Sequence, residues 1–383
     1  FGSSCPHPPT HPPAHVTFAR TMAAPLSVEC RALGPGDVVA GGCTFGTTGA
    51  PGMHERITQE DCDACMSALL AAGVREFDTA PWYGAGTSEE RMGRSLANTA
   101  SEAAPGAVRV FTKVGRLYVE PDGVTPCGPG YDAPGRATAE ERMVLNDYTA
   151  AGAKRSLKES LARMGLDSVY GLRIHDPNDN NKYDGTVDEV AIAAAETGAC
   201  TALRELRQEG VIKHVGLGMN CNKEAHQGAP EDIIRLIRLA GPGTFDSALL
   251  AGGWNLLSQA GYQCLVECEQ QGIDVYIAGI YASGLLVGGS TYAYMAAPQE
   301  MVDKTQKWRD LAQKHGFSLP ALAWAFATLP KCVKQVVVGM ATKAQVEETM
   351  GYMREASRVP ASLWTEAREL GLLAADVPLP PPQ

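Results

Sequence analysis

An alternation constrains this chain more than any other feature. Between about residues 36 and 357, eight short apolar runs each lead toward a stretch with apolar residues at helical spacing. Strand followed by helix, repeated, means parallel pairing with right-handed crossovers. Eight such units close into an α/β fold of one kind, the (β/α)8 TIM barrel. An open dinucleotide-binding sheet would instead carry G-x-G-x-x-G after its first strand. The first run here holds G-G-C-T-F-G, which lacks that spacing.

The strand-like runs fall at 38–46, 75–80, 108–114, 168–176, 213–220, near 247–251, at 274–280 and at 333–339. Helical patterns occupy 59–72, a segment starting near Ser88, 153–165, 198–209, 230–239, 263–271, 299–314, 318–328 and a last stretch near 343–356. Gly165 and Gly210 act as stop signals. Residues 115–147 form a Gly/Pro-rich insertion with few apolar repeats, expected to be a lid or a mobile segment. The expected organisation is one barrel domain over 31–360, a Pro/His-rich leader or tail over 1–30, and a C-terminal extension over 361–383 with a disordered end. Residues 1–22 read as a translated leader, an expression remnant or a disordered tail, with a transit peptide as the lesser alternative.

Composition narrows the class. With 45% hydrophobic residues the chain can build a large core. No uncharged apolar run reaches the ~18 residues that a membrane span needs. A net charge of −10 argues against nucleic acid and leaves a small molecule as the expected partner, with a monomer or homodimer as the expected state. Eleven cysteines show no paired framework. Cys62 and Cys65, and Cys264 and Cys268, share helix faces and read as core packing in a reducing, cytoplasmic setting; no spacing completes a metal site.

Four residues at strand ends carry the chemistry. Asp78 and Tyr83 lie in R-E-F-D-T-A-P-W-Y-G, Lys113 in V-F-T-K-V-G, and His175 in G-L-R-I-H-D-P. In an α/β barrel the C-terminal strand ends face the mouth. Taken singly, each has a plainer reading: a helix cap, a loop-packing ring, a solvated amine, a core imidazole. Together they make a proton donor and acceptor. A tyrosine is a poor base at neutral pH, but a neighbouring ammonium stabilises its phenolate. Lys113 can supply that charge, Asp78 can hold it, and His175 can orient a substrate oxygen. Such a group suits carbonyl reduction or alcohol oxidation with a cofactor that carries hydride.

F-D-T-A-P-W-Y-G followed by S-E-E-R-M-G-R-S-L, with F-T-K-V-G-R, S-L-A-R-M-G-L-D and L-R-I-H-D-P in that order, resembles the aldo-keto reductase superfamily over about 38 to 355. The resemblance implies a (β/α)8 barrel with Tyr83 as general acid/base, Lys113 and Asp78 tuning it, and His175 aiding orientation. Further stretches (H-D-P-N-D, V-G-L-G-M-N, A-L-L-A-G-G-W-N-L-L-S-Q, Y-A-S-G-L-L) are similar to the branch of sugar 1-dehydrogenases that includes D-threo-aldose 1-dehydrogenase, L-galactose dehydrogenase and pyridoxal 4-dehydrogenase. That branch oxidises a ring hemiacetal to a lactone. Pyridoxal oxidation, NADPH-linked aldehyde reduction and a nucleotide-sensing binding subunit are the alternatives.

The resemblance also implies where a dinucleotide would bind. V-V-V-G-M-A-T-K-A-Q-V-E-E-T would hold the adenosine half through Gly339, Met340, Thr342, Gln345 and Glu348. Ser283, Gly284 and Leu285 would wrap the pyrophosphate with backbone N–H groups. Thr44, Asp78, Met219 and Asn220 would lie near the nicotinamide end, although the family's usual Ser-Asn pair is replaced by Met219-Asn220. Family members that prefer NADP often carry basic residues where Gly339 and Gln345 stand here, and Lys343 is the nearby cation. NAD is therefore expected over NADP. Phe45, Trp82, Tyr83, His175 and Trp254 are the candidate substrate contacts, with Asp176, Asn178, Asp179 and Asn180 as possible partners for sugar hydroxyls.

Overall fold

The computed structural model describes residues 26–41, 58–102, 104, 106–123, 125, 142–178, 187–222 and 228–381. The leader 1–22, Thr44, Phe45, Asp179, Asn180 and the middle of the 115–147 insertion lie outside the described residues.

In chain order the strands are β1 Val38–Gly41, β2 Glu76–Asp78, β3 Arg109–Val114, β4 Arg116–Val119, β5 Met143–Asn146, β6 Gly171–His175, β7 His214–Asn220, β8 Ser247–Ala251, β9 Asp274–Ala278, β10 Thr291–Tyr292, β11 Met295–Ala296 and β12 Val333–Val338. The α-helices are α1 Gln59–Ala71, α2 Thr87–Asn98, α3 Ala150–Met164, α4 Glu189–Ala194, α5 Ala199–Gln208, α6 Pro230–Ala240, α7 Tyr262–Gln271, α8 Gln299–Lys314, α9 Leu319–Ala327, α10 Lys343–Ala356 and α11 Ala361–Glu369. Eight parallel strands close into a barrel in the order β1-β12-β9-β8-β7-β6-β3-β2. This is the (β/α)8 architecture that the alternation predicts.

Register fixes what faces where. Ala40 pairs with Phe77, Phe77 with Val110, Thr112 with Leu172, and Leu172 with Val215. These residues point outward to the helices, and all but Thr112 belong to the large outer core. Successive strand residues alternate sides, so the next set points into the barrel. There the filling divides in two. Val39, Leu249, Tyr276 and Val337 form a separate apolar cluster. Asp78, Lys113, Arg173, His214 and Ser247 form a connected polar one.

Local signals explain the helix boundaries. Thr149 caps α3 by accepting from Gly152 N at 3.1 Å, and Gly165 ends it in the left-handed region at φ 64°. Helices α2 and α3 pack closely at Gly93, where a Cβ would fall 2.0 Å from the Met164 carbonyl oxygen.

Three differences from the sequence reading are structural findings. The 115–147 insertion is not all loop: β4 and β5 pair as an antiparallel hairpin, with Leu117 opposite Leu145. A short helix, α4, precedes α5. After residue 360 the chain adds α11, whose fully buried Trp364 lies near Trp308 and Phe326, and Leu379 also packs on the core. The cysteines read as core packing are indeed buried; burial pushes the Cys65 thiol up to about 12 and those of Cys264 and Cys268 well above the ordinary thiol range. Among the described residues no helix is long and apolar enough to cross a membrane.

Candidate active site

The four residues singled out by sequence meet at the C-terminal end of the barrel. Asp78 closes β2 and Lys113 sits one residue before the end of β3; both are 1% exposed. The Lys113 ammonium donates to Asp78 Oδ1, to the Thr79 carbonyl at 2.9 Å and to the Tyr83 hydroxyl oxygen at 3.0 Å. It also stands 4.5 Å from the Tyr83 ring centroid. His175, the last residue of β6, presents its ring edge-on to Tyr83, with centroids 5.8 Å apart at 81°. Tyr83 is half-buried, so its hydroxyl is anchored on one side while the ring remains partly open to the mouth.

Burial pulls the Lys113 pKa below the ordinary lysine range, and Arg173 adds to that pull; Asp78 opposes both, through its charge and its hydrogen bond. The cost of a dry ammonium is thus offset by a carboxylate in direct contact. A cation 3.0 Å from a phenol oxygen stabilises negative charge there. Chemically, such an arrangement can accept and return a proton at a fixed point.

A second layer holds His175 and the wall. The Tyr148 hydroxyl donates to the His175 carbonyl at 2.6 Å. Asp176, at φ 44°, accepts from Asn220 N at 2.7 Å and from Asn220 Nδ2 at 3.0 Å. Arg116 lies 3.4 Å from Asp176 Oδ2 and 4.8 Å over the Trp82 ring. Trp82 in turn meets Tyr118, with ring centroids 5.9 Å apart, and Tyr118, Ala85, Val144 and Trp82 make one apolar cluster. The β4–β5 hairpin therefore braces the Tyr83 loop.

The other expected contacts are distributed as follows. Asn220 lies at the mouth, but its amide is already bonded to Asp176. Asp176 and Asn178 are both buried, and Asn178 Nδ2 reaches the Ala229 carbonyl at 3.5 Å, so neither side chain stands as an exposed sugar contact. The Met219 side chain points outward into the core between sheet and helices, and Leu285 and Met340 are buried members of the same large cluster. Ser283 and Gly284 stand in the left-handed region at φ 58° and 100°, half-buried. Gly339, Thr342, Gln345 and Glu348 are exposed where β12 leads into α10. There Thr342 Oγ1 accepts from Gln345 N at 3.2 Å, and Gln345 Oε1 accepts from Ala341 N at 2.7 Å. The structure does not bring Trp254 to the mouth. It is 1% exposed and stacked between Phe326, at 4.9 Å, and Tyr262, at 6.3 Å, because the chain after β8 turns its ring under the helices.

Sequence reasoning missed Arg173 and Arg116. Each is a charged residue in or beside an apolar strand, R-I-H and V-G-R, which is the signal that singled out Lys113.

Residues 40–369 match the Aldo/keto reductase family. The chain belongs to that family. As a member, this aldo/keto reductase is an oxidoreductase of a group that uses NAD(P)H. It is 29% identical over 335 residues to D-threo-aldose 1-dehydrogenase of a Pseudomonas species, covering 86% of this chain and 93% of that one. It is 28% identical over 361 residues to pyridoxal 4-dehydrogenase of Microbacterium luteolum, covering 90% and 98%. L-galactose dehydrogenase of Arabidopsis thaliana is 26% identical over 329 residues, covering 86% and 89%. These relatives place the aldo/keto reductase in the branch that its motifs indicate. The barrel also superposes on glycerol dehydrogenase from Gluconobacter oxydans, at a TM-score of 0.62 and 19% identity over 94% of this chain and 98% of that chain.

Proposed function

We propose that this aldo/keto reductase is an NAD(P)-dependent aldose 1-dehydrogenase that oxidises a sugar of the L-galactose, L-fucose or D-arabinose class at C1 to its aldonolactone. The observation that carries the reading is the Lys113 ammonium held between Asp78 and the Tyr83 hydroxyl. Two relatives named for sugar oxidation support the substrate class.

The residues present fit a dinucleotide. The left-handed turn at Ser283–Gly284 follows β9 and the exposed N-terminus of α10 follows β12, and these strands are neighbours in the barrel. Backbone N–H groups at such termini suit phosphates, although that of Gly284 already donates to the Tyr281 carbonyl at 3.0 Å. Gly339, Thr342 and Gln345 would hold the adenosine half, and Ser283, Gly284 and Leu285 the pyrophosphate. NAD is favoured over NADP, because Lys343 faces Glu347 at 3.9 Å and neither Gly339 nor Gln345 brings charge for a 2′-phosphate. A bound nicotinamide cofactor would supply the acceptor for hydride leaving the sugar C1. Tyr83, as phenolate, takes the proton of the anomeric hydroxyl. Lys113 stabilises the charge Tyr83 holds before transfer, and His175 orients the reacting oxygen. Trp82, backed by Arg116 and Tyr118, gives the ring of the substrate an apolar wall.

Pyridoxal oxidation is the second reading. The same half-buried indole suits a pyridine ring, and the relative named for that reaction matches over 98% of its length. Turnover on L-galactose, L-fucose, D-arabinose and pyridoxal, each with NAD and with NADP, tests both. Oxidation of a sugar with NAD is the expected result; no sugar oxidised at any pH rejects the primary reading, and pyridoxal turnover without sugar turnover installs the second.

A further inference from the structure

The barrel floor holds a second cation that the proton-transfer step leaves unused. Arg173 lies two residues before His175 on β6, so both side chains point into the barrel. It is 0% exposed. Its Nε donates to Asp78 Oδ2 at 3.1 Å, so the carboxylate that takes Lys113 on one oxygen takes Arg173 on the other. Its Nη1 donates to Ser247 Oγ at 2.8 Å. The guanidinium lies against two neighbouring rings, 4.6 Å from the Phe111 centroid and 4.4 Å from that of Tyr276, which are themselves 6.1 Å apart. Strand β7 leaves room for it. A Cβ at Gly216 would stand 2.9 Å from Arg173 Nη1, and one at Gly218 would stand 3.2 Å from Lys113 Cε and 3.6 Å from Arg173 Cδ. Two glycines at inward positions of one strand thus accommodate two cations.

A dry guanidinium beside an ammonium is costly, and one carboxylate cannot neutralise both. The remaining neighbours do not repair the balance. His214, across Ser247, is pushed down to about 4 and is neutral near pH 7. Tyr276 donates its hydroxyl to Glu76, whose charge is already paired with Arg109. On the Tyr83 side stand His175 and Asp176, and Asp176 is engaged with Arg116. A local positive excess is left beneath the phenol.

We infer that Arg173 is a positioning residue for Tyr83, holding the Asp78 carboxylate that aims Lys113 and supplying positive charge that favours the phenolate. This rests on the proposed proton-transfer role of Tyr83. A packing role alone would lower the rate equally at every pH; a charge role moves the pH at which Tyr83 ionises.

The test compares wild type with Arg173→Met, Arg173→Gln and Arg173→Lys. One readout is the pH profile of kcat/KM for the oxidised substrate. The other, independent of turnover, is ultraviolet titration of tyrosinate with Tyr83→Phe as the blank. In the Met and Gln variants the acid limb and the Tyr83 titration should both move up by about one pH unit, with kcat/KM near pH 7 falling about tenfold. Lys should restore most of the shift. The inference is overturned if Tyr83 titrates in the Met and Gln variants where it does in wild type, whatever the loss of rate. Should Arg173→Met fail to fold, the polar Arg173→Gln carries the same test. If wild type oxidises none of the substrates, the proposed function falls, while the spectroscopic titration still decides the role of Arg173.

Discussion

At the scale of single residues, the site separates binding from chemistry. Tyr83 supplies one oxygen, and that oxygen accepts the Lys113 hydrogen bond. Tyr83→Phe should therefore lower turnover about 10²- to 10⁴-fold, the usual weight of a general acid/base, while dinucleotide binding measured by fluorescence stays near wild type. Retained turnover in that variant would remove the mechanism. Lys113→Met should act differently. The phenol remains but loses its stabilising cation, so the acid limb of kcat/KM for oxidation should move toward the ordinary tyrosine value, about 10; an unmoved limb would assign Lys113 a packing role. That Asp78, Tyr83, Lys113 and His175 come together was legible in sequence, because polar groups at the ends of apolar strand runs have few places to go except the barrel mouth. Direction within a strand was the harder part. Arg173 interrupts the same kind of run yet lies a layer deeper, and Trp254 follows a strand yet turns under the helices, because a residue just past a strand end is free to point either way.

At the scale of elements, the strand and helix register was readable from the spacing of apolar residues, since strands buried on both faces are near-continuous hydrophobic runs. The β4–β5 hairpin was not. Its strands are short, and the exposed Met143 and Leu145 alternate with half-buried neighbours too briefly to stand out from a Gly/Pro-rich stretch. Close approaches between elements were equally hidden, because a glycine in a helix gives no sign of what it touches. Gly93 is the clearest case: a Cβ there would meet the Met164 backbone oxygen at 2.0 Å, and backbone cannot rotate away as a side chain can. Gly93→Ala should destabilise the fold by about 1–3 kcal/mol through the α2–α3 contact, seen as a lower thermal midpoint. An unchanged midpoint would mean that the two helices can separate at no cost. Gly218→Ala, on β7, tests the other kind of contact. Its Cβ would press on Lys113 Cε at 3.2 Å. The ammonium is held by three acceptors, so a shift of a few tenths of an ångström should cost about tenfold in kcat with little change in stability.

At the scale of the whole molecule, the charges that serve the site load the barrel interior, and that load should set the acid stability of the fold. His214 reports it. Its Nε2 lies 2.7 Å from Ser247 Oγ, and its ring sits among Phe111, Tyr170 and Tyr276. Burial pushes its pKa from 6.5 down to about 4, and the charges of Arg173, Arg207 and Arg109 push the same way, while Asp246 opposes them. The unfolded chain would protonate this imidazole near pH 6.5, and the folded chain only near 4. Between those values the unfolded state binds more protons, so stability rises with pH. The stabilising contribution is present in full above about pH 6.5 and is lost as pH falls toward 4, amounting to roughly 2–3 kcal/mol. Carboxylates with lowered pKa, such as Asp188 and Asp61, act in a lower window, since their ordinary value is 3.8. Urea midpoints measured from pH 7 to 4.5 should therefore fall in wild type and fall distinctly less in His214→Gln, which keeps a polar group toward Ser247 without a titrating ring. Parallel slopes in the two proteins would mean that the imidazole reaches water in the folded barrel and that the cations beneath the mouth do not govern its charge.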